Sequence, residues 1–161
     1  MKTPRVLVAA VAAGALLLSG CGAGDQAAVV DGHVISESGV LEAAAQLREN
    51  VQQPPGPNQV IDILITAPAV SEMLRERGVS ISDEAARSAI PMIANPAPYV
   101  VEMVKRDLAL RELSQEDQMQ LMERIRESDV EVNPRYGSYD HDTLRVTPVV
   151  PDWFAETGAG S

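Results

Sequence analysis

Few residues in this chain stand where they could do chemistry. Asp140, His141 and Asp142 place two carboxylates and an imidazole in a row, the donor types a divalent metal takes. Three adjacent residues cannot all turn toward one ion, and no other His or Cys is near them in sequence. A solvated loop is expected there, with no metal. His33, the other histidine, has Asp31 and Ser36 close by, the residue types of a nucleophile, base and orienting acid. Asp31 and Gly32, however, read as a hairpin turn and Ser36 as a helix N-cap, so each already has a structural task. Glycine-rich phosphate loops are absent. No catalytic residue and no cofactor are expected, and the chain reads as a non-enzyme.

The remaining reactive group is Cys21, the one cysteine of the chain. Lys2 and Arg5 precede an uncharged apolar run over residues 6–18, followed by small residues, the pattern of a secretory signal peptide. A spanning helix needs roughly 20 apolar residues, and this run is shorter. Leu18, Ser19, Gly20 and Cys21 resemble the lipobox of bacterial lipoproteins, which implies cleavage before Cys21 and thioether acylation of its sulfur. The plainer reading is an uncleaved anchor, or a secreted form with a chance cysteine. Acyl chains contribute about 0.8 kcal/mol per buried CH₂, so several on one residue hold a protein to a bilayer. The expectation is a leader over 1–20, a tether over 21–27, and a body lipid-anchored on the outer face of the cell membrane. With a single cysteine no internal disulfide can form, so the exported body rests on its core.

The formal charge is −10, and losing the leader with its two cations and no acid takes it to −12. A surface this acidic repels nucleic acid, which is not an expected partner. Three tyrosines, one tryptophan and one phenylalanine are the whole aromatic complement, so the core must be Ala, Val, Leu, Ile and Met. That composition suits packed helices. The methionines have two readings. Flexible thioethers suit surfaces that receive varied apolar partners, while methionine at helical spacing is also ordinary core; both readings apply to Met73, Met92, Met103, Met119 and Met122, of which Met73, Met103, Met119 and Met122 are the candidate client contacts. Met119 falls off the apolar stripe of its helix.

The elements that must position these residues begin near residue 28. Val29 and Val30, the turn Asp31 and Gly32, then His33, Val34 and Ile35 read as a hairpin, because Asp-Gly supplies the positive φ of a type I′ turn. Ser36 caps a helix in which Val40, Ala44, Leu47 and Val51 share a face. After the break over residues 52–57, with Asn58 as a candidate cap, the β-branched run from Val60 to Val70 suits a buried strand almost as well as a helix by propensity, and is read as a helix. It continues through Met73 and Leu74 to Gly78, a natural C′ residue, with Pro68 expected to kink it. A short acidic helix follows Ser82. A fourth runs from about Pro98 to Leu113 with Val101, Val104 and Leu108 on one stripe. Ser114 and Asp117 resemble a capping box for a fifth, with Gln118, Leu121, Met122 and Ile125 on one face. Whether the fourth and fifth helices form one rod is left open. Val130, Glu131 and Val132 alternate as a half-buried strand ended by Asn133 and Pro134, and this strand is expected to pair with the early hairpin. From Asn133 the chain reads as irregular, with its aromatic residues wrapping the tail onto the body.

The fold class expected is mainly α. About five helices are joined by a small antiparallel sheet that brings the hairpin (about 28–35) to the late strand (about 129–133). The body spans 28–140 and a partly wrapped tail 141–161. Val-Asp-Gly before Ile35 and Ser36, the segment Gly78, Val79, Ser80, Ile81, Ser82, and the run from Val130 through Asn133, Pro134, Arg135, Tyr136, Gly137, Ser138, Tyr139 to Asp140 resemble SurA-like exported chaperones, particularly their lipoprotein forms. The resemblance implies a helical chaperone module completed by a late segment. Many family members also carry a parvulin prolyl isomerase domain on the order of a hundred residues, the usual domain size. Only a short interval separates the fourth helix from the late strand here, so that domain is missing. The implied function is a membrane-tethered binding module for unfolded or exported polypeptides, without isomerase activity. The alternative is an interaction lipoprotein that docks one envelope partner on the same scaffold.

Overall fold

The computed structural model describes residues 24–148; the leader, Cys21, Trp153 and Phe154 lie outside the described residues. The chain is mainly helical with a small antiparallel sheet. Strands β1 (Gln26–Val30) and β2 (His33–Ser36) form the hairpin. Asp31 and Gly32 both take positive φ, 48° and 81°, as a type I′ turn demands. Strand β3 (Val130–Val132) lies antiparallel on the other edge of β1, with Ala28 opposite Val132 and Val30 opposite Val130, in the order β2-β1-β3. Asp31 fastens this closure from the turn. Its N–H donates to the Asp129 carbonyl, and its Oδ1 accepts the Asp129 N–H, both at 2.9 Å.

Order begins earlier than the sequence suggested. Gln26 and Ala27 belong to β1, and the Asp25 carboxylate accepts the backbone N–H and hydroxyl of Ser38, each at 2.6 Å. Helix α1 (Glu37–Asn50) starts at Ser36, whose Oγ accepts the Gly39 N–H. Tyr99 reaches over from a distant helix and its hydroxyl accepts the Ser36 N–H at 2.9 Å. The ring passes so close that a Cβ on Gly39 would stand 2.6 Å from Tyr99 Cε2, which is why this helical position is glycine.

Helix α2 (Pro57–Glu76) runs through the middle of the body and carries buried residues along its length, from Val60 to Leu74. Pro57 opens it at a position where a missing N–H costs nothing. The Gly56 N–H donates to Gln59 Oε1 at 3.0 Å, while Asn58, the expected cap, instead donates to the Tyr136 carbonyl at 2.8 Å. Pro68 lies inside α2 without ending it. At its C-terminus Gly78 has φ 72°, the Gly78 N–H donates to Arg75 O and the Val79 N–H to Leu74 O, a Schellman closure.

Helix α3 (Asp83–Ala89) is capped by Ser82, and α4 (Pro98–Glu112) and α5 (Gln115–Glu127) are two helices. Leu113 is extended, and Ser114 and Asp117 make the reciprocal capping box that stops one helix and starts the next. The stripe of α4 differs from the sequence reading. Val100, Val101, Met103 and Ala109 are buried, while Val104 and Leu108 are half-buried. Residues read as irregular form a second hairpin, β4 (Ser138–Asp140) and β5 (Arg145–Thr147), pinned to α2 by the Val146 N–H on Asp62 Oδ1 at 2.7 Å.

Two apolar clusters result. The upper one joins the sheet (Ala28, Val30, Ile35), α1 (Val40, Ala43, Ala44), the first half of α2 (Val60, Ile61, Leu64, Ile65) and α4 (Val100, Met103). The lower one joins the second half of α2 (Val70, Met73, Leu74) to Ala109, Leu113, Leu121 and Ile125.

Candidate binding groove

Beside the two clusters the described residues line a groove of about 910 Å³. One wall is the face of α2 carrying Ile63, Thr66 and Val70, and another is α4 with Met103, Val104 and Leu110. The end of α1 and the following loop bound it with Leu47, Val51 and Pro55; α5 adds Leu121, Met122 and Ile125; the β4–β5 turn adds Leu144 and Arg145. The connector between α3 and α4 contributes Met92. Its prolines and Asn95 keep this stretch out of a helix, so its apolar side chains are free to face the groove. Three large apolar side chains of the lining stay open to solvent: Met92 at 63%, Met122 at 42% and Val51 at 40%.

Charges near the groove are mostly matched. Arg106 donates to Thr66 Oγ1 and to Asp107 Oδ1, each at 3.0 Å. Asp62 is half-buried, and that burial pushes its carboxyl above the usual range against the lowering effect of the Val146 amide and Arg145. Tyr139 is pushed up to about 12 by burial and by the negative charges of Asp62 and Asp140, and its buried hydroxyl has no hydrogen-bond partner among the described residues. In the first turn of α5, Asp117 is 2% exposed. Burial alone would raise its carboxyl, yet the Ser114 hydroxyl and amide and the Arg77 guanidinium together hold it below the usual range. Such a site can receive apolar side chains by removing area from water, at about 25 cal/mol per Å², and can meet a peptide backbone at polar positions such as Gln53 and Gln59.

The structure separates the four candidate contact residues. Met122 lines the groove at its open rim, while Met103 borders it from the upper cluster and is only 8% exposed. Met73 is 2% exposed within the lower cluster, so the reading of it as a contact is corrected: its helical phase points it into packed core. Met119 is 64% exposed but lies outside the groove lining. Met92, weighed with the other methionines but not among those four, also lines the groove. His33 is exposed at the hairpin, with Asp31 and Ser36 occupied as described. Asp140 Oδ1 accepts the N–H groups of Asp142 and Thr143, and His141 Nδ1 lies 3.1 Å from the Arg126 carbonyl. Among the described residues no group of three or more His, Cys, Asp or Glu side chains is placed so that it could hold a metal ion. Comparison with protein-family models, with curated proteins and with solved structures finds no match to this chain.

Proposed function

We propose that this chain is a membrane-tethered extracytoplasmic lipoprotein that acts as a chaperone-like binding module for unfolded or exported polypeptides, without prolyl isomerase activity. The groove carries this reading: an apolar floor with Met92, Met122 and Val51 open to solvent among polar rim residues suits extended chains of varied sequence, because thioethers repack at little cost. Exposed contiguous apolar surface on a soluble body usually marks a partner site. The lipobox at Cys21 and the likeness of residues 28–37 and 130–140 to SurA-like chaperones support the same reading. Between α4 and β3 the chain holds α5 and its caps.

The test is aggregation of an unfolded exported protein. The protein in stoichiometric excess should slow it severalfold, Met92→Glu with Met122→Glu should lose that effect, and Met119→Glu should keep it. A parent protein that leaves aggregation unchanged would refute the proposal. On a short Pro-containing peptide no turnover is expected, and measured turnover would overturn the non-enzyme reading.

A further inference from the structure

We propose that the groove selects polypeptide segments that carry a lysine or arginine among apolar residues, with the Asp62 carboxylate as the contact that receives the cation. This deepens the polypeptide-binding reading and rests on it. Gln59, Asp62, Ile63, Thr66 and Val70 share the lining face of α2, so Asp62 is set among apolar and neutral neighbours. The lining holds one other acid, Asp107, whose Oδ1 accepts from Arg106 at 3.0 Å. Asp62 forms no ion pair among the described residues; its Oδ1 accepts the Val146 N–H at 2.7 Å, and no described residue donates to its Oδ2. Burial already holds this carboxyl above the usual range, against the lowering effect of the Val146 amide and Arg145. An occupant that covers the groove strips the remaining water from the free oxygen, and a buried carboxylate without a donor is penalised. A segment that is apolar throughout, or acidic at that place, meets this penalty, whereas a basic residue replaces it with an ion pair. Lysine and arginine also suit an apolar groove, because their methylene stems pack on apolar surface while the charged head reaches a polar partner. Ile63, next in the chain, and Leu144, two residues from Val146, supply that surface. Arg145 is the competitor. It lines the same groove, is exposed, and forms no ion pair among the described residues, so it lies in the field of Asp62 without closing on it. The chain's formal charge of −10 adds a long-range pull on any basic segment, which salt screens; a contact at half-buried Asp62 is screened less.

Three short capped peptides of leucine, alanine and serine, differing only in a central lysine, glutamine or glutamate, test this by fluorescence anisotropy with the whole protein at high salt. Affinity should fall in that order, with lysine severalfold ahead of glutamine. Asp62→Asn, which keeps an acceptor for the Val146 amide, should bind the lysine and glutamine peptides alike. A lysine preference that survives this change would belong to the surface charge at large and overturns the proposal. So does glutamate ahead of lysine, which would give the selection to Arg145. Equal binding of all three peptides overturns this inference and leaves the groove reading standing, whereas no binding of any of them removes both. Circular dichroism checks that Asp62→Asn keeps its helix. Should it not, Arg145→Gln decides, at an exposed position outside any ion pair among the described residues. Loss of the competing cation should widen the lysine preference severalfold, and an unchanged or narrower preference overturns the proposal.

Discussion

The upper and lower halves of the body are built from the same helix α2 but are held in different ways. In the upper half, three strands, α1 and α4 enclose α2, and Val40, Val60 and Ile61 are fully removed from water. The enclosing pieces come from opposite ends of the chain, joined by the β1–β3 ladder. In the lower half, α2 meets mainly α4 and α5, and polar links share the work: Arg124 donates to both Glu76 oxygens at 3.1 Å, and Arg77 pairs with the buried Asp117. The groove follows a different face of α2, through Asp62, Ile63, Thr66 and Val70, and runs past both clusters. The upper half is closed by strands from both ends of the chain, the lower half by helix packing and ion pairs, and the groove borders both.

Truncation within each cluster should expose this difference most strongly. Ile61→Ala removes a side chain with no route for relaxation and should cost about 4 kcal/mol, whereas Leu121→Ala, bordering the groove, should cost nearer 2 kcal/mol because the site can collapse or hydrate. Chemical denaturation with a common slope measures both; equal losses would erase the distinction between the halves. Gly39→Ala comes next. Alanine favours a helix, but its methyl would meet Tyr99 and the Ser36 hydroxyl, so a net loss of about 2 kcal/mol is expected from overpacking. A stabilised variant would show that the Tyr99 ring is free to move.

Two carboxylates sharpen the comparison through pH. Asp117 titrates below its unfolded value, so its contribution is present above the ordinary carboxylate range and disappears as pH falls through the folded pKa. Asp62 titrates above its unfolded value, so its contribution is full below that value and is lost as pH rises through the folded pKa. Asp117→Asn should therefore destabilise at neutral pH and lose its effect in acid. Asp62→Asn, which keeps an acceptor for the Val146 amide, should be relatively favoured at neutral pH and lose that advantage in acid. Unfolding midpoints across pH 3–7 check both signs, and parallel curves would contradict the assignment. The smallest effect belongs to Met119→Ala, exposed and outside the groove lining, which should change stability by less than about 0.5 kcal/mol.

Much of the upper half was legible in the sequence because it rests on local chemistry. Asp31-Gly32 fixes the turn, Ser36 the first cap, and the alternation at Val130 and Val132 the closing strand; in the lower half Ser114 with Asp117 is the same kind of local signal, for the cap of α5. The second hairpin was hidden. Its strands have three residues each, and its turn relies on an Asp140 side-chain bond and on Leu144 at φ 56°, a residue that rarely marks such a position. The groove was less legible still, because it depends on how helices far apart in sequence lean on one another. On α5 the buried face centres on Asp117, Leu121 and Ile125, since Arg77 and the capping box draw Asp117 inward. That phase leaves Met122 at the rim, while Met73 on α2 goes to the interior.

Photo-crosslinking in cells compares the groove with its surroundings most directly, with a photoreactive residue placed at position 122 in one chain and at position 119 in another. The account predicts that position 122 captures many different exported polypeptides and position 119 few. One dominant partner at position 122, or equal capture at both positions, would contradict it.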